Sequence, residues 1–276
     1  MASEHPGLPP FRIFVANSQL MRYFLQLSYF GKHYHGWQRQ PSDLTVQEIL
    51  EDRLGKLLGN TIDIVAAGRT DAGVHARLMV AHFDWEAPLG EDLIYRLNAF
   101  LPEDIAVQGV RAVHPEAHAR FDATSRTYQY RLLREKDPFE KDTAYYLNQP
   151  LDFQAMNKAA QVLMDFEDFK AFSRSHTDVK TYICRISRAE WAREDVSWVF
   201  TITADRFLRN MVRAVVGTLL LVGKGMITPE DVKTIIKSRD RSRAGASVPA
   251  KGLYLTGITY PNEIYLPHGE GYRKGI

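Results

Sequence analysis

The chain of 276 residues is short of the features that mark secreted and membrane-bound proteins. Its single cysteine, Cys184, excludes an intramolecular disulfide framework and any cysteine-rich zinc site. No apolar run approaches the roughly 18 residues of a membrane span. Residues 1–20 also lack the cationic start, apolar stretch and cleavage site of a secretory signal. We therefore expect a soluble protein of a reducing compartment, with the cytoplasm as its location.

An excess of charge of one sign is also missing, because the formal net charge is only +2. This excludes a strongly basic protein that coats nucleic acid. The charge is unevenly distributed, however: residues 205–243 contain nine Lys and Arg against four Asp and Glu, a local net charge of +5. Such a surface suits a partner with a phosphate backbone. The alternative is an ordinary solvated helical face.

Helix and strand patterns alternate irregularly along the chain. Thr45 and Glu48 have the spacing of a capping box and open a helix that Gly59 ends. Thr228 followed by Pro229 opens another. Three more helices are predicted at residues 91–100, 152–164 and 207–222. Strands are predicted at residues 23–29, 61–66, 79–85, 127–133, 184–191, 198–204 and 253–260.

This order lacks the strict alternation of a parallel sheet, so it predicts an α+β fold. We expect an N-terminal domain at residues 21–117 and a C-terminal domain at residues 118–276. Residues 1–20 contain three prolines and show no clear period, so we expect a dispensable N-terminal extension.

The segment GRTDAGVH at residues 68–75 lies between two predicted strands. Gly68 and Gly73 relieve strain in a tight loop and let a ligand approach closely. A simple turn with Asp71 as a turn former is the alternative, but it does not account for Arg69 or His75. The loop does not cradle phosphate as a P-loop does, because no Gly-Lys-Ser/Thr follows.

A second segment concentrates arginine. Arg206, Arg209 and Arg213 have the spacing i, i+3 and i+7, which predicts one face of a helix. One of these arginines could pair with a buried carboxylate, keep it ionised and fix its orientation, while others bind phosphate. The alternative is an exposed arginine stripe.

Basic and aromatic residues also interleave at residues 118–130, which suits stacking on displaced bases; an amphipathic strand is the alternative. His33 and His35 lack a nearby third ligand, so a metal site is not expected there.

Together these segments resemble the tRNA pseudouridine synthase A family. The resemblance runs from about residue 21 to residue 260. It is carried by five motifs, which are GWQRQP with TVQ at 36–47, AGRTDAGVHA at 67–76, ARF through RTYQY at 119–130, FLRNMVR at 207–213 and PAKGLYL at 249–255. Many members have Ser where this chain has Ala67, and a small or amide residue where it has Arg206.

The resemblance implies the pseudouridine synthase fold, with two similar α+β domains whose antiparallel or mixed sheets flank a central RNA-binding cleft. It implies isomerisation of uridine to pseudouridine in the anticodon stem-loop of tRNA, without a metal or other cofactor, by a homodimer. The base leaves C1′ of the ribose, turns and rejoins through C5.

The resemblance also implies residue roles. Asp71 is the expected catalytic carboxylate, Tyr128 the residue that stacks on the target base, and Arg209 the partner of Asp71. Whether such a carboxylate attacks the sugar, attacks the base or helps remove a sugar proton stays open. The expected substrate-binding residues are Arg69, Leu253, Arg206, Arg213 and Arg126.

Two other functions fit parts of the sequence. A non-catalytic RNA-binding protein on the same fold would be expected to lack the carboxylate, which is present at Asp71. A zinc-dependent tRNA deaminase would fit His114-Pro115-Glu116, but the Pro-Cys-x-x-Cys partner is absent.

Overall fold

One mixed β-sheet runs through the part of the chain that the structure describes. The computed structural model describes residues 20–86, 88–174 and 179–267, so the predicted extension at 1–20 lies outside them except for Leu20. The strands of this part are β1 (Met21–Tyr29), β2 (Val65–Ala66), β3 (His75–Trp85), β4 (Ile105–Val113), β5 (Ser125–Leu133), β6 (Tyr145–Tyr146), β7 (Ile186–Glu194), β8 (Ser197–Ala204) and β9 (Leu253–Thr259). Its α-helices are α1 (Val46–Leu58), α2 (Leu93–Phe100), α3 (Phe153–Val162), α4 (Met211–Gly223) and α5 (Pro229–Ser238). The predicted α+β class is confirmed.

The last of the described strands, β9, lies at the centre of this sheet. The strand order is β4-β1-β3-β9-β5-β8-β7, with β2 added beside β3 and β6 beside β5. β9 is antiparallel to β5 but parallel to β3, which it meets over the pairs His75–Tyr254 and Ala76–Leu255. A short parallel contact thus joins a half built from β1 to β4 to a half built from β5 to β8.

Each half has its own hydrophobic core. The N-terminal core packs residues of β1 and β3 with Leu50 and Leu54 of α1. The C-terminal core packs β5, β7 and β8 with α3, α4 and α5. Tyr128 of β5 packs against both cores, so it lies at their junction. We propose that the cores correspond to the two expected domains, although Tyr260 and Ile264 pack in the N-terminal core.

Local sequence signals locate several helix ends correctly. The Thr45 side chain accepts a hydrogen bond from the Glu48 amide, and Gly59 ends α1 with a left-handed φ of 75°. The Thr228 and Asp231 side chains form a complete capping box at the start of α5. The starts of α1 and α5 thus follow from side chains that accept hydrogen bonds from amides left free in the first helical turn.

The prediction of a helix starting at residue 207 was wrong. Helix α4 begins at Met211, because Asn210 has a left-handed φ of 65° that interrupts helical geometry. The Asp205 carboxylate accepts hydrogen bonds from the amides of Arg185 and Arg206 and fixes a turn before the helix. Arg206 and Arg209 therefore lie in this turn and do not share a helix face with Arg213.

Strand boundaries differ from the prediction on both sides of the loop at 68–75. The strand expected at 61–66 is reduced to β2, whereas β3 starts at His75, earlier than expected. β4 was not predicted and forms one edge of the sheet beside β1.

One face of β1 and β3 is covered by the turn around Ala119 and by the C-terminal segment. The cross-strand neighbours Phe24 and His82 lie on this face, and the Phe24 ring lies 4.9 Å from that of Tyr260. The Ala119 amide donates to His82 Nδ1 (3.1 Å), and the Tyr260 hydroxyl donates to the Ala119 carbonyl (2.6 Å). His82 is thereby buried with its Nδ1 committed as an acceptor.

Candidate active site

The loop between β2 and β3 is held in place by main-chain hydrogen bonds on both sides of Asp71. The Trp37 amide donates to the Thr70 carbonyl (3.3 Å), and the Gly73 amide donates to the Tyr34 carbonyl (3.2 Å). Within the loop, the Val74 amide donates to the Asp71 carbonyl (3.1 Å). The segment at 34–37 thus holds the backbone on both sides of Asp71.

Two glycines, Gly36 in this segment and Gly31 just before it, allow the main chain to approach the loop closely. A Cβ on Gly36 would lie 2.3 Å from the Thr70 carbonyl oxygen, and one on Gly31 would lie 2.0 Å from the Val74 carbonyl oxygen. Gly36 also has a φ of +92°, which side-chain-bearing residues rarely adopt. These two positions therefore require glycine, and the motif at 36–41 supports the loop rather than forming a separate site.

A buried hydroxyl pair fixes the residue before Asp71. The Tyr29 hydroxyl and Thr70 Oγ1 lie 2.9 Å apart, and Thr70 is buried. Burial raises the pKa of Tyr29, so its hydroxyl stays neutral and can serve as the donor of this bond. Neither residue was singled out from the sequence, because a buried tyrosine in a strand reads as core.

Asp71 pairs with Arg213. Arg213 Nη1 lies 3.3 Å from Asp71 Oδ2, while Arg213 Nε donates to the Val248 carbonyl (2.8 Å). Arg213 is in the first turn of α4, where the helix carries its side chain to the loop. The second bond, to Val248, restricts the guanidinium, so the pair has a defined orientation.

The expected pairing of Asp71 with Arg209 was therefore wrong. Arg209 lies before α4 and is exposed, and its carbonyl accepts from the Arg174 amide (3.1 Å). Arg209 and Arg213 are four positions apart, so a continuous helix would have brought both to one face. The left-handed Asn210 breaks that continuity.

Tyr128 lies in the middle of β5 near Asp71. It is paired with Ile202 on one side and Leu255 on the other, and its ring meets the Phe207 ring edge-on at 5.2 Å. Burial raises the pKa of Tyr128 to about 12, with a lowering effect of Arg126 and a further raising effect of the Asp71 charge. The Tyr128 hydroxyl is therefore neutral beside Asp71. Phe207 supports this ring.

Leu253 is buried at the start of β9 and pairs with Tyr130. Alternate residues of a strand share a face, so Leu253 and Leu255 point to the same side of β9. Leu255, the direct partner of Tyr128, belongs to the N-terminal core, whereas Leu253 belongs to the C-terminal core.

Three other expected substrate-binding arginines differ in their surroundings. Arg69 is exposed and Arg206 is half-buried; within the described ranges, the hydrogen bonds and ion pairs include none from either side chain. Arg126, by contrast, donates four hydrogen bonds from its two terminal nitrogens to main-chain carbonyl oxygens, including that of Ala67 (3.0 Å). These bonds inside the protein favour a structural role for Arg126 over the expected contact with substrate.

No group of three or more His, Cys, Asp or Glu side chains that could hold a metal ion occurs in residues 20–86, 88–174 and 179–267. His35 instead lies 3.6 Å from the Asp43 carboxylate. In the same part of the chain, no helix is long and apolar enough to cross a membrane.

Comparison with known proteins gives consistent matches. The sequence model of a family described as "tRNA pseudouridine synthase" matches residues 27–122 and 159–261. The chain is 55% identical to a tRNA pseudouridine synthase A of Parabacteroides distasonis over 249 residues, which cover 89% of this chain and 98% of the relative. It is 53% identical to the protein of that name from Bacteroides fragilis, over 89% of this chain and 99% of the relative. A relative from Porphyromonas gingivalis is 48% identical over 90% of this chain and all of its own length.

Proposed function

Because the chain belongs to the tRNA pseudouridine synthase family, we propose that it isomerises uridine to pseudouridine in tRNA, with Asp71 as the catalytic residue. The observation that carries the proposal is the 3.3 Å ion pair between Asp71 and Arg213, which joins the two halves of the molecule beside Tyr128. A carboxylate held in this way, next to an aromatic ring, suits a reaction on a nucleobase.

The proposed reaction is an isomerisation and needs no electron acceptor. The bond between N1 of uracil and C1′ of ribose breaks, a bond between C5 and C1′ forms, and the C5 proton is replaced by one on N1. Asp71 attacks the sugar, attacks the base or assists removal of a sugar proton, and each route requires a carboxylate of fixed orientation. Arg213 and the anchored loop supply that orientation.

We assign Tyr128 the stacking contact with the uracil ring. Its own ring is held edge-on by Phe207, so it is positioned before substrate binds. A hydroxyl with a pKa of about 12 stays protonated at neutral pH and can donate a hydrogen bond. Leu253, buried close by on β9, is the proposed apolar neighbour of the base.

A uridine in a stem must leave the stack before it reaches Asp71, at a cost of about a few kcal/mol. Arg69 is exposed in the loop itself, and Arg206 and Arg209 lie in the turn before α4. We propose that these guanidinium groups bind phosphates around the displaced nucleotide and offset that cost. A Cβ on Gly68 would meet nothing within 4 Å, so the chain leaves room there for the RNA backbone.

We further propose the anticodon arm as the modified region, a homodimer as the working unit and the cytoplasm as its location. These three points follow from the resemblance of the sequence motifs to the tRNA pseudouridine synthase A family. Mapping pseudouridine in tRNA treated with the purified protein tests the region: modification confined to other arms would contradict it.

Substitution of Asp71 tests the central assignment. Asp71→Asn keeps the size of the side chain but removes its charge, so we expect pseudouridine formation to fall by at least about 10³-fold. Binding of unmodified tRNA should persist, because phosphate contacts supply most of the affinity. The measurement is turnover on unmodified tRNA together with a binding titration.

The rival function, a non-catalytic RNA-binding protein, predicts tRNA binding without turnover in the unsubstituted protein. Turnover retained by Asp71→Asn would instead remove Asp71 from the chemistry while leaving the enzyme in place.

A further inference from the structure

Arg126, the second residue of β5, donates four hydrogen bonds, and all four acceptors are main-chain carbonyl oxygens. Nη1 bonds the carbonyls of Ala123 (2.7 Å) and Asp205 (2.8 Å). Nη2 bonds the carbonyls of Ala67 (3.0 Å) and Arg120. The two terminal nitrogens of one rigid, planar group thus hold four points of the backbone at set separations.

These acceptors belong to three segments that are distant in sequence. Ala67 begins the loop that carries Asp71, and its own amide is bonded to the Val80 carbonyl (2.8 Å). Asp205 begins the turn that leads into α4 and Arg213. The third segment is the turn at 119–123. Arg126 therefore links the carboxylate side of the Asp71 ion pair to its guanidinium side.

The cation is half-buried, and the ion pairs of the described residues include none between Arg126 and a carboxylate. Burial lowers the pKa of Arg126, which reflects the cost of removing its charge from water. The Asp205 carboxylate accepts instead from the amides of Arg185 and Arg206. Removing the guanidinium would leave several carbonyl oxygens unpaired in a partly buried place.

We propose that Arg126 is a positioning residue: it fixes the loop of Asp71 relative to the turn before α4, and so sets the geometry of the Asp71–Arg213 pair without contacting the RNA. The inference rests on the proposed role of Asp71. It differs from phosphate binding, for which a guanidinium must keep donors free toward solvent.

The test compares Arg126→Ala and Arg126→Lys with Arg22→Ala as a matched control. Arg22 also donates to a main-chain carbonyl, that of Ala117 (3.0 Å), and forms two bonds to the Asp84 carboxylate. It lies on β1 and makes no contact with the proposed site. Its removal costs a similar number of hydrogen bonds in the same fold.

The assay is run at a temperature well below the unfolding midpoint of each variant. We expect Arg126→Ala to lower kcat by at least about tenfold, because small displacements of catalytic groups are costly. KM and Kd for unmodified tRNA should stay within about threefold, since no RNA contact is lost. Arg126→Lys should recover part of the rate, because an ammonium group reaches some of the four carbonyls. Arg22→Ala should lose stability but keep kcat within about twofold.

Two results would overturn the proposal. The first is a higher Kd of Arg126→Ala for tRNA together with a salt dependence of binding that is shallower by the equivalent of about one phosphate contact, which would make Arg126 an RNA ligand. An equal loss of kcat in Arg22→Ala, at a matched unfolding midpoint, would reduce Arg126 to general stability. If Arg126→Ala does not fold, Arg126→Lys and Arg126→Gln are compared with Arg22→Ala by the same criteria. Wild-type turnover in Asp71→Asn is a separate failure, because it removes the proposed site whatever Arg126 does.

Discussion

The side chains of Asp71 and Arg213 are only partly enclosed, with 28% and 21% of their surfaces exposed. Water therefore screens their attraction, and the pair adds little to stability. The main effect of the pair is to orient the Asp71 carboxylate, because the second bond of Arg213, to the Val248 carbonyl, leaves the guanidinium few orientations. A substitution at either residue should therefore affect catalysis more than folding.

Arg213→Ala should lower kcat by about 10²-fold while the unfolding midpoint changes little, because Asp71 loses its orienting partner. Arg209→Ala is the matched control: it removes an exposed guanidinium four residues away, outside α4. We expect it to raise KM for tRNA and to leave kcat nearly unchanged. Steady-state kinetics on one unmodified tRNA distinguish the two. A larger kcat loss in Arg209→Ala would restore the pairing expected from the sequence.

The loop that carries Asp71 is shaped by elements outside it. Its backbone conformation depends on the segments at 31–37, where Gly31 and Gly36 let other main-chain atoms come close. Gly68, inside the loop, faces open space. Steric contact with the main chain thus requires glycine at 31 and 36 but not at 68, a difference that substitution can test.

Gly36→Ala should lower the free energy of unfolding by about 1–3 kcal/mol, because it combines a positive φ with a clash against the Thr70 carbonyl. Gly68→Ala, with open space at its Cβ, should unfold like the unsubstituted protein. Urea denaturation measures both. If Gly68→Ala also loses tRNA turnover, the space belongs to the substrate; equal destabilisation of the two variants would contradict the steric argument.

The elements differ in how well their sequence predicts them. Helices α1 and α5 were predicted because their signals are local: a threonine cap at one end, and at α1 a glycine at the other. The start of α4 was not: asparagine adopts a left-handed φ more readily than most residues, but the helical spacing of Arg206 through Arg213 hid the break at Asn210. Long-range contacts overrode that period.

Only the parts of the site that lie in sequence motifs could be predicted. The Asp71 loop stands out in the sequence, but the partner of Asp71 depends on where α4 begins. The role of Arg126 could not be predicted, since its acceptors are main-chain carbonyls spread from Ala67 to Asp205. Main-chain acceptors exist at every residue, so no side-chain pattern identifies them.

At the scale of the whole molecule, the buried His82 couples stability to pH. Burial, together with the nearby Arg22 charge, lowers the pKa of His82 from 6.5 to about 4. The unfolded chain therefore binds a proton below pH 6.5 that the folded chain refuses, so stability falls as the pH falls from 6.5 toward 4. The shift corresponds to about 3 kcal/mol across that window.

His82→Asn keeps an acceptor for the Ala119 amide but cannot titrate there. Its free energy of unfolding should therefore depend less steeply on pH between 4 and 6.5 than that of the unsubstituted protein. Denaturant unfolding at several pH values measures both slopes. The pKa of the neighbouring His118 is also lowered, so a smaller pH dependence should remain in His82→Asn. Parallel slopes would show that His82 is not the coupled group.

The place of β9 has a consequence for how the chain is made. A ribosome synthesises residues 253–259 after the other eight described strands, yet they fill the middle of the sheet, between β3 and β5. Until they emerge, each half has an unpaired inner strand edge, whose free N–H and C=O groups can pair with other chains and cause aggregation. The nascent protein also cannot bring Asp71 and Arg213 into their final register. Catalytic competence should therefore arise only after residues 253–259 have been synthesised, when β9 fills the gap between β3 and β5.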